Sequence, residues 1–132
     1  MRKFSKLFKV LSDSNRLRIL KMLEVKPMCV CEIQAALGLA QPSVSKHLQV
    51  LAEAGLVTSE KDGLWVNYRL ADGDKSAYAA TLLGNLRHWL ERDREIEQLV
   101  KRLPAIAREE ICTRQATGSR AKLSTRSPIA AI

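Results

Sequence analysis

A short helix, a tight turn at Gly38 and a second helix, then a hairpin at Asp62-Gly63, with one-sided apolar helices on either flank, predict a mainly α (α+β) fold. The arrangement is a winged helix–turn–helix with N- and C-terminal dimerisation helices. Its elements follow in chain order.

Phe4, Leu7, Phe8 and Leu11 recur at helical spacing and give the first helix one apolar stripe. Ser12-Asp13-Ser14 breaks it and offers N-cap residues for a second helix with Leu17, Leu20 and Leu23, which Lys26-Pro27 ends. A short third helix runs from Val30 to Leu37, with Gly38 just past its end. Pro42 suits the first position of a fourth helix, whose Val44, Leu48 and Leu51 form the buried stripe and which Gly55 ends. The period then changes. Leu56–Glu60 and Leu64–Leu70 read as strands around Lys61-Asp62-Gly63, a strong hairpin signal. After Asp72-Gly73-Asp74 one long helix is expected, carrying Leu82, Leu86, Trp89, Ile96, Leu99 and Leu103.

These elements make one DNA-binding and dimerisation domain over residues 1–103. Pro104 interrupts the last helix or opens a short helical extension over 104–112. Residues 113–132, rich in Ser, Thr, Arg and Ala without periodicity, read as a basic disordered tail. The first and last helices are too apolar to face water, and neither belongs to a minimal DNA-binding unit. Pairing them across a two-fold axis buries both, so a homodimer is expected.

The 132 residues carry 22 Lys and Arg against 14 Asp and Glu, a net charge of +8, which makes an anionic partner the first hypothesis. Half of that charge comes from Arg114, Arg120, Lys122 and Arg126 in the tail, so charge alone does not establish nucleic-acid binding. No apolar run is long enough to span a bilayer, and no membrane partner is expected. The basic start Met1-Arg2-Lys3 leads into an amphipathic segment instead of a signal-peptide core, and the chain reads as cytoplasmic. Three cysteines, two of them in Cys29-Val30-Cys31, make no secreted disulfide framework and read as thiols available to a ligand.

Opposite the core stripe of the fourth helix lie Ser43, Lys46, His47 and Gln49, with Gln41 and Ser45 near its start. Hydroxyls, amides and a cation near a helix N-terminus suit phosphate and base-edge contacts in a major groove. A solvated helix face is the plainer reading of such a stripe; the short helix and Gly turn before it favour the DNA-reading one. Lys61 near the hairpin tip and Arg69 on the returning strand form a basic wing suited to the DNA backbone or minor groove. Trp65 and Tyr68 read as packing residues.

Asp13-Ser14-Asn15-Arg16-Leu17-Arg18-Ile19-Leu20, Cys29-Val30-Cys31-Glu32-Ile33, Gln41-Pro42-Ser43-Val44-Ser45-Lys46-His47-Leu48 and Glu53-Ala54-Gly55-Leu56-Val57 resemble the ArsR/SmtB metalloregulatory repressors. The resemblance covers roughly residues 1–103. It implies a homodimer that binds operator DNA when effector-free and releases it when the effector binds. The Cys-Val-Cys pair at the start of the third helix is similar to that of the arsenite- and antimonite-responsive branch, implying As(III) or Sb(III) as effector at Cys29 and Cys31, with no cofactor required for folding.

Thiol chemistry agrees, because soft thiolates select thiophilic ions and a helix N-terminus lowers a thiol pKa. Residues at i and i+2 inside an ideal helix point to different faces. Chelation by Cys29 and Cys31 is therefore expected to unwind the start of the third helix and shift the reading helix. The sequence departs from the branch at Gln34, where some arsenite repressors carry a third Cys, and residues 1–28 lack the cysteines of the cadmium/lead branch. His88 with Glu91 is only half of a zinc-branch set. Cys112 is the remaining thiol, open as a third ligand from its own or the partner subunit, or as a bystander. A cadmium/lead- or redox/persulfide-responsive repressor of the same fold is the alternative. A thiol oxidoreductase is disfavoured, since the pair is Cys-x-Cys and no base or orienting carboxylate accompanies it, so no enzyme activity is expected. A winged-helix module that binds protein instead of DNA is the third class.

Overall fold

Asp13 sets the first corner of the chain. Its Oδ1 accepts the backbone N–H groups of Asn15 at 2.8 Å and Arg16 at 3.2 Å, capping α2 (Ser14–Val25) directly after α1 (Arg2–Leu11) has ended. The computed structural model describes residues 1–106 except Lys75.

The helix–turn–helix follows as α3 (Val30–Leu37) and α4 (Gln41–Glu53). Gly38 ends α3 at φ 72°, its N–H donating to the Gln34 carbonyl at 2.7 Å. A side chain there would be strained, so glycine fixes the turn. Pro42 is the second residue of α4 and not the expected first, because Gln41 already has helical geometry behind the Ala40 cap. Val44, Leu48 and Leu51 are buried as the stripe requires, beside Ile19, Leu20 and Ile33. Truncating a leucine such as Leu51 to alanine should cost about 2–5 kcal/mol.

Three strands form an antiparallel sheet in the order β1 (Met28–Cys29), β3 (Trp65–Leu70), β2 (Val57–Asp62). The wing is the β2–β3 hairpin. Asp62 pairs with Trp65, so its turn is Gly63-Leu64, with Gly63 at φ 66°. The expected Lys61-Asp62-Gly63 turn is thus displaced, and Lys61 and Asp62 belong to the strand. Strand β1 was not anticipated; two residues after Lys26-Pro27 carry no period of their own. It places Met28 opposite Tyr68 and Cys29 opposite Asn67.

The expected single C-terminal helix is two, α5 (Ala77–Leu86) and α6 (Arg94–Arg102). Buried Lys21 takes the Leu86 carbonyl at 2.8 Å, Leu90 adopts φ 62°, and the Asp93 carboxylate caps α6 through the Ile96 N–H at 3.0 Å. Apolar spacing hides this break, because Trp89 and Ile96 stay seven residues apart across it. A 3-10 turn at Leu103–Ala105 begins the segment beyond Pro104. The rest of the expected extension, Cys112 and the basic tail lie outside the described residues.

Helices α1 and α5 keep aromatic side chains outside. Phe4, Phe8 and Tyr78 are all exposed, with Phe4 edge-on to Phe8 and Tyr78 at centroid separations of 4.9 and 5.0 Å. No helix among the described residues is long and apolar enough to cross a membrane.

Candidate nucleic-acid interface and thiol site

On α4, Gln41, Ser43, Ser45, Lys46 and Gln49 are exposed, while His47 is half-buried. Gln49 Nε2 reaches Glu53 Oε2 at 3.5 Å, and His47 Nδ1 lies 3.4 Å from Arg16 Nη1. Both wing cations are exposed, but the register separates them. Lys61 pairs with Val66 and Arg69 with Thr58, so the two side chains project from opposite faces of the ribbon. Arg69 borders a cleft of about 290 Å³ that also holds Glu60, Asp72 and Asp74, which makes Lys61 the less compensated cation.

Cys29 is the N-cap of α3, in extended conformation at φ −92° and ψ 170°, and Cys31 is the second residue of that helix. Both are reduced thiols with 0% exposure. Their side chains hydrogen-bond to each other, Cys31 donating to the Cys29 sulfur. The expectation of diverging thiols therefore does not hold. It applies to two residues inside a helix, and Cys29 stands outside it, so the sulfurs meet without unwinding α3.

The Cys31 hydrogen bond holds the Cys29 thiol pKa below its ordinary value; burial works against this, and the Glu32 backbone N–H assists it. Glu32 is buried and closes the cap in return, Oε1 accepting the Cys29 N–H at 2.9 Å. Its carboxylate opposes ionisation of the thiol. Trp65 of the wing and Ile106 pack against the two cysteines.

Two soft donors held together with one biased towards thiolate fit a thiophilic ion. Among the described residues no group of three or more His, Cys, Asp or Glu side chains could hold a metal, and His88 and Glu91 lie in the link between α5 and α6. Arg16, Glu32 and the packing of Trp65 on the thiols escaped the sequence reading. The Cys-x-x-Glu spacing is a capping-box signal that could have revealed Glu32. The contacts of Arg16 and Trp65 are long-range and leave no periodic trace.

A helix–turn–helix with its polar face outward, followed by a hairpin wing that carries the exposed cations Lys61 and Arg69, defines a winged helix–turn–helix DNA-binding protein. Residues 13–59 match the family described as "Bacterial regulatory protein, arsR family". The arsenical resistance operon repressor of Escherichia coli (strain K12) is 38% identical over 98 residues, 74% of this chain and 81% of the relative. Reduced HlyU from Vibrio cholerae N16961 aligns with a TM-score of 0.56 at 30% identity, over 68% of this chain and 92% of that one. The homodimeric winged helix-turn-helix DNA-binding domain of Mb0332 from Mycobacterium bovis, solved by NMR, gives 0.57 at 27% identity, over 70% and 82%. The chain belongs to the ArsR family: it is a DNA-binding transcriptional repressor and not an enzyme.

Proposed function

We propose that this repressor acts in the cytoplasm as a homodimer and leaves its operator when As(III) or Sb(III) is taken up by Cys29 and Cys31. The hydrogen-bonded thiol pair against the wing carries the reading. Thiolates supply the affinity for a soft ion, and the arsenical repressor of E. coli is a relative by sequence. Cys112 or a thiol from solution supplies a third sulfur.

The chain's own residues suggest how uptake reaches DNA. Cys29 shares a sheet rung with Asn67 of β3, and Trp65 two residues earlier packs on both cysteines. A change in sulfur spacing bears on β3 and on the wing, while the α3 helix stays wound. The dimer would bury Phe4, Phe8 and Tyr78 on α1 and α5, in keeping with the homodimeric Mb0332 domain.

A second reading, redox or persulfide sensing, draws on the same proximity of two thiols, one inclined to thiolate. Operator release in a gel shift separates them. Arsenite should release wild type under reducing conditions, and Cys29→Ser and Cys31→Ser should not respond. Release by peroxide or persulfide but not by arsenite selects the second reading, and release by Cd(II) or Pb(II) alone selects a cadmium/lead site.

A further inference from the structure

One polar contact ties the end of α1, the first turn of α2 and the exposed helix α4 together. Arg16 Nε donates to the Val10 carbonyl at 2.7 Å, one of the carbonyls that the last turn of α1 leaves without an intrahelical partner. The same guanidinium places Nη1 3.4 Å from Nδ1 of His47. The Arg16 backbone is fixed as well, its N–H held by the Asp13 cap. The half-buried Arg16 side chain thus bridges the C-terminal end of α1 and His47.

A guanidinium has only donors and keeps its charge in proteins. A hydrogen bond in this contact requires Nδ1 of His47 as the acceptor, which selects the ring form with its proton on Nε2. Lys46 precedes His47 and Ser43 lies one turn earlier, both exposed. Asp13 and Arg16 are the charged groups of α2 around it.

We propose that Arg16 is a positioning residue for operator reading, holding His47 as the Nε2–H tautomer so that α4 presents a hydrogen-bond donor there. The inference rests on the reading of α4 as the DNA-facing helix. A donor in the major groove pairs with guanine N7 or O6, adenine N7 or thymine O4, whereas the other tautomer would accept from cytosine N4 or adenine N6. Arg16 would then govern base preference without touching DNA. Because it also grips Val10, it relays the position of α1 to that reading atom.

The test combines ring-nitrogen NMR on the full chain, at about pH 8.5 and above the ordinary imidazole range, with binding to a panel of operators substituted at single base pairs. The His47 ring should be the Nε2–H tautomer in wild type and a mixture in Arg16→Met, whose side chain has no N–H donor. Arg16→Met and His47→Ala should flatten preference at the same base pair by about tenfold, and the double variant should flatten it no further. Arg16→Lys, which keeps a cationic donor, should fall between; if Arg16→Met does not fold, Arg16→Lys decides alone. An unchanged tautomer and panel in the Arg16 variants, with His47→Ala flattened, overturns the role of Arg16 and leaves α4 as the reader. No effect of His47→Ala at any base overturns the proposal together with His47 as a reader, while Ser43→Ala and Lys46→Ala still report on α4.

Discussion

Cys29 and Asn67 face each other across β1 and β3, and Asn67 faces Glu60 across β3 and β2. One rung of the sheet therefore runs from the thiol site to the outer strand of the wing. Strand pairs move together, since separating them exposes backbone groups that must find new partners. Trp65, on the same strand, covers the cysteines and gives this linkage a spectroscopic handle.

In a Trp89→Phe background, the remaining Trp65 emission should change on arsenite addition, and Cys29→Ser should abolish the change. Steady-state fluorescence titration measures it. A response confined to Trp89 would show that the wing does not sense the thiols.

The Cys29 thiol should ionise below the ordinary thiol range, and Cys31→Ala should raise its titration while Cys31→Ser, which keeps a donor, should raise it less. Thiolate absorbance against pH reads this directly. A depressed folded-state pKa means that the unfolded chain binds more protons. Stability from this group is therefore present above the unfolded thiol pKa and lost as pH falls through the folded one. Identical titrations in wild type and Cys31→Ala would remove the thiol–thiol hydrogen bond from the account.

Asp13→Ala should destabilise the fold by about 1 kcal/mol through loss of the α2 cap. Burial raises the Asp13 pKa, but the backbone donors of Arg16 and Asn15, with the positive charges that His47 and Arg16 present in the acid range where Asp13 titrates, outweigh it and leave the pKa lowered. The cap's contribution is thus present above the unfolded carboxyl pKa and lost as pH falls through the folded one. Urea unfolding of both proteins at neutral and acid pH should give a difference that shrinks on acidification. A constant difference would mean that the carboxylate charge plays no part.

Local signals made most of the fold legible. The Asp13 cap, Gly38, and the Val44, Leu48, Leu51 stripe act within a few residues of themselves and appear where the sequence puts them. Two features failed for physical reasons. The α5–α6 break depends on Lys21 reaching Leu86 from 65 residues away, and the apolar spacing continues through it. Strand β1 exists only because β3 returns beside it. The same strand makes Cys29 a cap residue, so the sequence yielded the thiol pair but misread its geometry. The sequence also left the opposite faces of Lys61 and Arg69 hidden, since hairpin register depends on where the turn falls.

Ser43→Ala and Lys46→Ala should each weaken operator binding while leaving the melting temperature near wild type, because both are exposed on α4. Losing one phosphate contact at Lys46 should reduce the log–log salt slope by about 1. The operator should carry half-sites roughly 10 bp, or a multiple of it, apart. Wild-type affinity and slope in both variants would move the DNA-reading surface elsewhere.

The central claim is that Cys29 and Cys31 form the switch, and operator affinity of wild type, Cys29→Ser and Cys31→Ser with and without arsenite tests it most directly. A 100-fold loss in wild type corresponds to about 2.7 kcal/mol of coupling between effector and DNA, which must act equally in both directions. The account predicts that all three proteins bind the operator without arsenite and that only wild type is released by it. Release of both serine variants at the wild-type arsenite concentration would contradict it and put the sensing site elsewhere.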